Sequence, residues 1–415
     1  MSDDGTDVLA RATWSALAEP GDTVAGTLVG LLGAVDALEW VRSAGRRGPD
    51  LAPLEERRGP LTHAERRRVG TALARWDVRL PDCDPHRDLG VLDRIGGTLL
   101  VPGDPRWPTA LDDLGVEAPF ALWVRGEPGL DTALARSAAV VGSRAATSYG
   151  ERVAFDLADG LTAHGVWVVS GGAYGIDAAA HRGAVARGGR TLVVLAGGVD
   201  RAYPAGNARL LEAAVDAGGA LLSEVPPGSV PTRSRFLQRN RLIAAAGHAT
   251  VVVEAAWRSG AMSTAHHAAR LLRPVGAVPG PVTSMASAGC HRLLRDGVAV
   301  CVTDAAEVLE LAGLMGSGLA AVADAARSAD ERSARPHDGL DPLALRVLDA
   351  LSRRVPTDLD RVASAAGVTV AEARGAVGLL ELDGWVVRRP TGWVAATRPD
   401  HDGAALSRRR AERQS

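Results

Sequence analysis

Four arginines, Arg233, Arg235, Arg239 and Arg241, fall between Val225 and Val253, a stretch that contains no carboxylate. Surface arginines ordinarily sit among Asp and Glu, so these four are short of partners, and a polyanion would supply them. Phe236 lies in their midst, in a chain with only 4% aromatic residues. A ring exposed between arginines can stack on bases while the guanidiniums pair with phosphates, which is how single-stranded nucleic acid is held. The other reading of Phe236 is a core anchor for its loop, the usual place for phenylalanine. On one continuous helix Arg239 and Arg241 would point about 200° apart and could not share a ligand. A shared ligand therefore predicts irregular chain from Pro231 to about Gln238, with Asn240 near the start of a helix that turns Leu242, Ile243 and Ala244 inward. Positive charge at that helix start is disfavoured by the helix dipole until an anion binds.

A second set of candidates follows short apolar runs. Gly142-Ser143-Arg144 comes after AAVV, Ser170-Gly171-Gly172 ends and follows VWVV, and Gly197-Gly198 follows TLVVLA. Glycine there lets the backbone turn with positive φ and lets N–H groups approach a phosphate closely. The helices that follow present the anion-attracting end of their dipoles. Ser148 and Glu151 have the spacing of a capping box, which would fix one such helix just after Arg144.

These loops need a scaffold. From Ser137 onward, β-branched runs (138–141, 166–169, 191–196, 220–223, 249–254, 274–279 and 298–302) alternate with amphipathic helical stretches. Continuous apolar strands separated by helices make an α/β fold with a mostly parallel sheet buried on both faces, and ligands bind beyond the carboxyl ends of its strands. Residues 1–82 carry helical apolar spacing (Trp14, Leu17; Leu28, Leu31, Leu32; Val35, Leu38) and read as an all-α domain. The sheet domain takes 83–313, an Ala-, Ser-, Asp- and Arg-rich linker 314–340, and a basic tail 400–415. Between them, 341–399 shows three short helices and a WVVRR/WVAAT hairpin, with a cap at Thr357 or Asp358 and a turn at Gly367, the pattern of a winged helix. Its third helix carries Glu372, Arg374, Glu381 and Asp383, a poor complement for a DNA groove, so protein contacts and duplex contacts both stand.

Composition narrows the chemistry. The chain has 415 residues, 46% apolar and 23% charged, the balance of a soluble folded protein. Its net charge of −2 conceals any local basic patch. No lysine occurs, which excludes Walker A, Schiff-base and kinase-type lysine chemistry. Cys83, Cys290 and Cys301 show no C-x-x-C spacing, and His266 and His267 diverge on a helix, so neither a metal site nor a cofactor is expected. The acidic start lacks a secretory pattern and no apolar stretch reaches bilayer length, so a cytoplasmic location away from membranes is expected.

Six blocks in order carry a resemblance: GSR (142–144), SGGAYGIDAAAH (170–181), GGVDRAYPAGN (197–207), LLSEVPPGSVPTRSRFLQRNRLIAA (221–245), VVVEAAWRSGAMSTAHHA (251–268) and AVPG (277–280). Across about Leu99 to Val302 the chain resembles the DNA-processing protein A (DprA/Smf) family. The resemblance implies an extended Rossmann-like fold flanked by an N-terminal helical (SAM-like) domain and a winged helix. It also implies single-stranded DNA binding without catalysis, self-association as a homodimer, and delivery of DNA to the RecA recombinase in natural transformation. By motif, DNA contact carries over to Gly142, Ser143 and Arg144, to Ser170, Gly171 and Gly172, and to Phe236, Arg239, Asn240 and Arg241; Arg233 and Arg235 join them as the other bases of the arginine stretch. Where much of the family has Gly-Thr-Asn, this chain has Gly289-Cys290-His291, and arginine stands in for the family's lysines.

Two other classes compete. A phosphoribohydrolase would want a P-G-G-x-G-T-x-x-E turn, of which only Pro279-Gly280-Pro281 and a separate Glu254 are present. Glu224, Glu254, Asp177 and His181 are the candidate acids and bases, with Asp177 and His181 reading as a helix-start and a helix-face residue. An effector-sensing transcription regulator would need the winged helix to read duplex sequence, against which its acidic third helix argues.

Overall fold

Each β-branched run forms a strand. In the computed structural model, which describes residues 3–47, 50–257, 259–314, 341–353 and 355–396, the strands are β1 (Gly97–Leu100), β2 (Leu122–Gly126), β3 (Ser137–Val141), β4 (Trp167–Ser170), β5 (Thr191–Val194), β6 (Ala220–Ser223), β7 (Ala249–Val252), β8 (Val275–Ala277) and β9 (Val300–Cys301). They make one sheet in the order β1-β2-β6-β5-β4-β3-β7-β8-β9. β6 through β9 run parallel, while β2 pairs antiparallel with both β1 and β6. The chain builds outward from β3 in one direction through β4, β5 and β6, then returns to pair β7 against the other side of β3. That reversal is the topological switch point, where a crevice opens beyond the strand ends.

Alternate residues serve opposite faces. Ala138, Val140, Val168 and Val251 pack under α8 (Ser148–Ala163), α9 (Ile176–Ala186) and α14 (Ala305–Leu311). Ala139, Val141, Val169 and Val252 pack against α11 (Arg233–Ala246), α12 (Gly260–Arg270) and α13 (Ala288–Arg295). Both faces being covered explains why the strands read as unbroken apolar runs, each buried valine contributing about 1.5–3 kcal/mol.

Residues 3–47 and 50–79 fold as helices α1 (Asp3–Leu17), α2 (Thr23–Leu32), α3 (Ala34–Arg47), α4 (Ala52–Arg58) and α5 (His63–Arg79), around Trp14, Trp40 and Trp76. Trp14 meets Trp76 edge to face at 5.4 Å. Phe120, just ahead of β2, packs into this helical cluster 5.7 Å from Trp14. Trp123 on β2 donates its Nε1–H to Ser15 Oγ at 3.1 Å, so helices and sheet share buried contacts.

Residues 341–396 belong to a second compact unit. It contains α15 (Pro342–Asp349), α16 (Leu359–Ala366), α17 (Val370–Leu382) and the hairpin β10 (Val386–Arg389) with β11 (Gly392–Ala395), a winged helix. Asp358 caps α16, Gly367 turns with φ 64°, and Thr369 and Glu372 form a capping box on α17. Glu372, Arg374, Glu381 and Asp383 are exposed on or just after α17, together with Leu379 and Leu382. The expected linker after Leu314 and the tail 400–415 lie outside the described residues.

Candidate nucleic-acid interface

A cleft of about 690 Å³ opens at the switch point, walled by the loop after β3, the loop after β4, the first half of α11 and the start of α12. Of the residues singled out in the sequence, Gly142, Ser143, Arg144, Arg233, Phe236, Arg239 and Asn240 line it. Ser170, Gly171, Gly172, Arg235 and Arg241 do not.

Local structure around α11 differs from the expectation of irregular chain. Thr232 caps the helix by accepting from the Arg235 N–H, and the helix runs from Arg233 without a break. The two arginines therefore do point apart. Arg239 turns into the cleft, while Arg241, fully buried, makes a bidentate pair with Glu224, Nη1 to Oε2 at 2.8 Å and Nη2 to Oε1 at 2.6 Å. Arg235 is also paired, donating from Nε and Nη2 to Glu19 of the helical region at 3.0 and 3.2 Å. Burial alone would raise the Glu19 carboxyl, but hydrogen bonds from Arg235 and Arg79 hold it below the ordinary range. The carboxylates missing from 225–253 thus come from just before the stretch and from far away in the chain. Two of the four arginines are engaged by carboxylates of the protein itself.

Two cations flank Phe236. The Arg144 guanidinium lies 4.5 Å from the ring centroid and that of Arg239 5.9 Å. Tyr203, half exposed, meets the same ring at 5.7 Å. Phe236 itself is half-buried, so it is both a packing element of the cleft wall and a ring open to the cleft. Arg144 and Arg233 are exposed and have no ion pair among the described residues.

Arg239 is 5% exposed, donates from Nη1 to Val194 O at 2.7 Å, and leaves its Nε–H without a partner. Burial lowers its pKa to about 10, with Asp177 opposing and Arg144 adding to the shift, so the group is charged at neutral pH. It lies directly over Gly171, where a Cβ would come within 1.7 Å of Nη1. Ser170 beneath is fully buried, its hydroxyl donating to Val140 O at 2.6 Å. The Ser170 to Gly172 loop is thus a floor that seats Arg239. Asp177, the one carboxylate among the described residues that line the cleft, has its pKa raised by burial against the opposing pull of Arg239, the Ala173 N–H and Arg144.

The loop carrying Arg144 is fixed by a residue read from sequence only as a candidate acid or base. Glu254, 1% exposed, accepts from the Thr147 N–H at 2.9 Å and from the Thr147 hydroxyl at 2.5 Å. Its carbonyl accepts from the Ser143 N–H at 2.7 Å. Thr147, held this way in an extended conformation, caps α8 in place of the expected Ser148. Gly142 has no room for a side chain, because a Cβ would meet Ile176 at 2.5 Å and Glu254 O at 2.8 Å. Asn240 donates to Gly260 O at 3.2 Å and ties α11 to the start of α12. Ser259 in the same wall keeps its Oγ unpartnered. Cys290 is buried in the core and His291 bonds Gly280 O at 3.0 Å, so neither side chain lines the cleft. His181 is buried away from it, its Nδ1 bonded at 2.8 Å to Thr191 Oγ1.

Comparison with known proteins places this architecture. Residues 98–313 match the family of DNA recombination-mediator protein A, and residues 331–392 match the DprA winged helix domain. A putative DNA processing protein DprA of Mycobacterium tuberculosis is 45% identical over 360 residues, 83% of this chain and 89% of the relative. Protein Smf of Escherichia coli is 36% identical over 304 residues, 73% and 78% of the two chains. The X-ray structure of DNA processing protein A from Streptococcus pneumoniae superposes with a TM-score of 0.54 at 28% identity, over 72% of this chain and 95% of that one. With both domains matched by the family's models and most of the length of such relatives covered, the chain belongs to the DprA/Smf family of DNA-processing proteins.

Proposed function

We propose that this protein binds single-stranded DNA in the switch-point cleft, without sequence preference and without chemical change to the strand. One observation carries the reading: the Phe236 ring is open to the cleft between guanidiniums, of which Arg144 has no carboxylate partner among the described residues. Bases stack on such a ring, and the cations pair with the phosphates on either side. Arg144, Arg233 and Arg239 are the phosphate ligands, Phe236 and Tyr203 the stacking surface, and the Gly142 backbone, the Ser143 hydroxyl and the Asn240 amide the remaining polar contacts. Ser170, Gly171 and Gly172 act beneath by seating Arg239. The family supports the wider role: a cytoplasmic homodimer that protects a strand and loads the RecA recombinase on it. The winged helix is assigned to protein contacts, since its third helix exposes carboxylates beside Leu379 and Leu382.

Fluorescence anisotropy with a labelled single strand, the matching duplex and strands of different sequence tests the reading. Similar affinity for all single strands and weaker binding of duplex are expected. A preference for one duplex sequence, or hydrolysis of nucleoside monophosphates, would overturn it. RecA filament formation on the protein-bound strand, faster than on a free strand, is the expected readout of loading.

A further inference from the structure

Nine tryptophans occur in the chain. Trp14, Trp40, Trp76, Trp107, Trp123 and Trp167 are buried, Trp385 and Trp393 are half-buried, and Trp257 alone is left 47% exposed. Its position is not arbitrary. It follows β7 by five residues and precedes Ser259 and Gly260, which line the cleft, by two and three. The Ala255 N–H donates to Ala286 O at 2.7 Å and the Gly289 N–H donates to Ala255 O at 2.7 Å, which clamps this turn against the start of α13. From that helix Arg292 reaches back and places its guanidinium 4.7 Å from the Trp257 ring centroid. Arg292 is held there by a bond from Nε to Asp296 Oδ2 at 3.2 Å.

The arrangement is an indole with a cation over one face and about half of its surface left to solvent. It lies between β7 and α12, beyond the carboxyl end of a parallel strand, and is not among the residues that line the cleft. An exposed indole of this size sacrifices burial that six other tryptophans in the chain obtain. A planar π-system arriving on its open face would recover it, and a guanidinium behind the ring strengthens the stack.

We propose that Trp257, backed by Arg292, is a second base-stacking platform that receives a nucleobase of a strand leaving the cleft past the start of α12. This rests on the reading of the cleft as a single-strand site and extends that site by at least one nucleotide toward α13. Trp257 supplies stacking; Arg292 positions and polarises the ring.

The test uses the full chain, a twenty-nucleotide oligothymidylate and an abasic deoxyribose-phosphate strand of equal length. Trp257→Ala is expected to weaken oligothymidylate binding about five- to tenfold, since a stacked base is worth upwards of ~1 kcal/mol. It should leave abasic-strand binding and the salt dependence unchanged, because no phosphate contact is lost. Trp257→Phe should keep affinity within about twofold while abolishing the quenching of tryptophan fluorescence that oligothymidylate produces in the unaltered protein. Equal affinity of Trp257→Ala and the unaltered protein, equal losses on both strands, or quenching that survives in Trp257→Phe would overturn the platform and leave the cleft reading intact. A change in sedimentation with unchanged DNA affinity would assign the ring to a protein contact and overturn it likewise. Failure of the unaltered protein to bind either strand would instead remove the cleft reading, and the platform with it.

Discussion

Arg241 and Glu224 face each other through two parallel hydrogen bonds, at 2.8 and 2.6 Å, in a part of the protein where the arginine meets no solvent at all. Removing one partner of such a pair strands a buried charge, at a cost of about 3–5 kcal/mol. Arg241→Ala and Glu224→Gln should each lower unfolding stability by that order in urea titrations. The double change Arg241→Met with Glu224→Leu should recover most of it and bind single-stranded DNA as the unaltered protein does. Persistent loss of DNA affinity in that stable double variant would make Arg241 a DNA ligand after all.

Salt dependence separates the cleft cations from the rest. On single strands log K falls with log salt by about 0.7 per phosphate paired. Arg144→Ala and Arg239→Ala should each weaken binding and flatten that slope by about one such step. Arg187, exposed just past the C-terminal end of α9 and bonded to Asp159, is the charge-matched control, and Arg187→Ala should leave the slope alone. A slope equally flattened by the control would place the binding in the general field of the protein.

Gly171 tests how Arg239 is seated. Alanine there would bring a methyl within 1.7 Å of Nη1 and 2.5 Å of Cζ, so the guanidinium must leave its bond to Val194 O. Gly171→Ala should reduce single-strand affinity by about the factor seen for Arg239→Ala, and the two changes together should do no more than either alone. Additive losses in anisotropy titrations would show that the glycine contributes to binding by another route.

His181 supplies a pH dependence unrelated to DNA. Thr191 gives its hydroxyl proton to Val168 O, so it accepts from Nδ1 of the imidazole, and Nε2 is left buried without a partner. Burial, and the nearby Arg239 charge, lower the pKa to about 3 from the ordinary 6.5. Between those values the unfolded chain binds a proton that the folded protein refuses, so stability rises with pH through this window and is lost as pH falls below about 6.5. The slope should approach about 1.4 kcal/mol per pH unit well below 6.5. In His181→Asn, which keeps a donor to Thr191, that component should vanish; urea titrations at pH 5.0 and 7.5 showing the same pH response in both proteins would contradict it.

The sheet was legible because each parallel strand is covered on both faces and so leaves an uninterrupted apolar run. Gly142 and Gly171 were legible as close approaches, although only the fold reveals that the second lies under Arg239 rather than under a ligand. The segment around α11 was misread for a physical reason. A helix whose last turns are buried almost all round, from Arg239 to Ala246, carries little amphipathic signal, and ion partners at Glu19 and Glu224 cannot be inferred from a local absence of carboxylates. Glu254 gave a usable signal, a lone carboxylate at the end of a buried strand, but its role depends on Thr147, over a hundred residues earlier. Trp257 was invisible as a surface residue until the burial of the other tryptophans singled it out.

The ring of Phe120 against Trp14, and the indole of Trp123 on Ser15, bear on how such a protein can be inherited. A gene rearrangement that joined the sheet to a different amino-terminal segment would strip a hydrophobic face from both pieces at once, and would leave Arg235 without Glu19 beside the cleft. The helical region and the sheet therefore stabilise each other, and a change at Phe120, Trp123 or Glu19 is felt on both sides of their boundary.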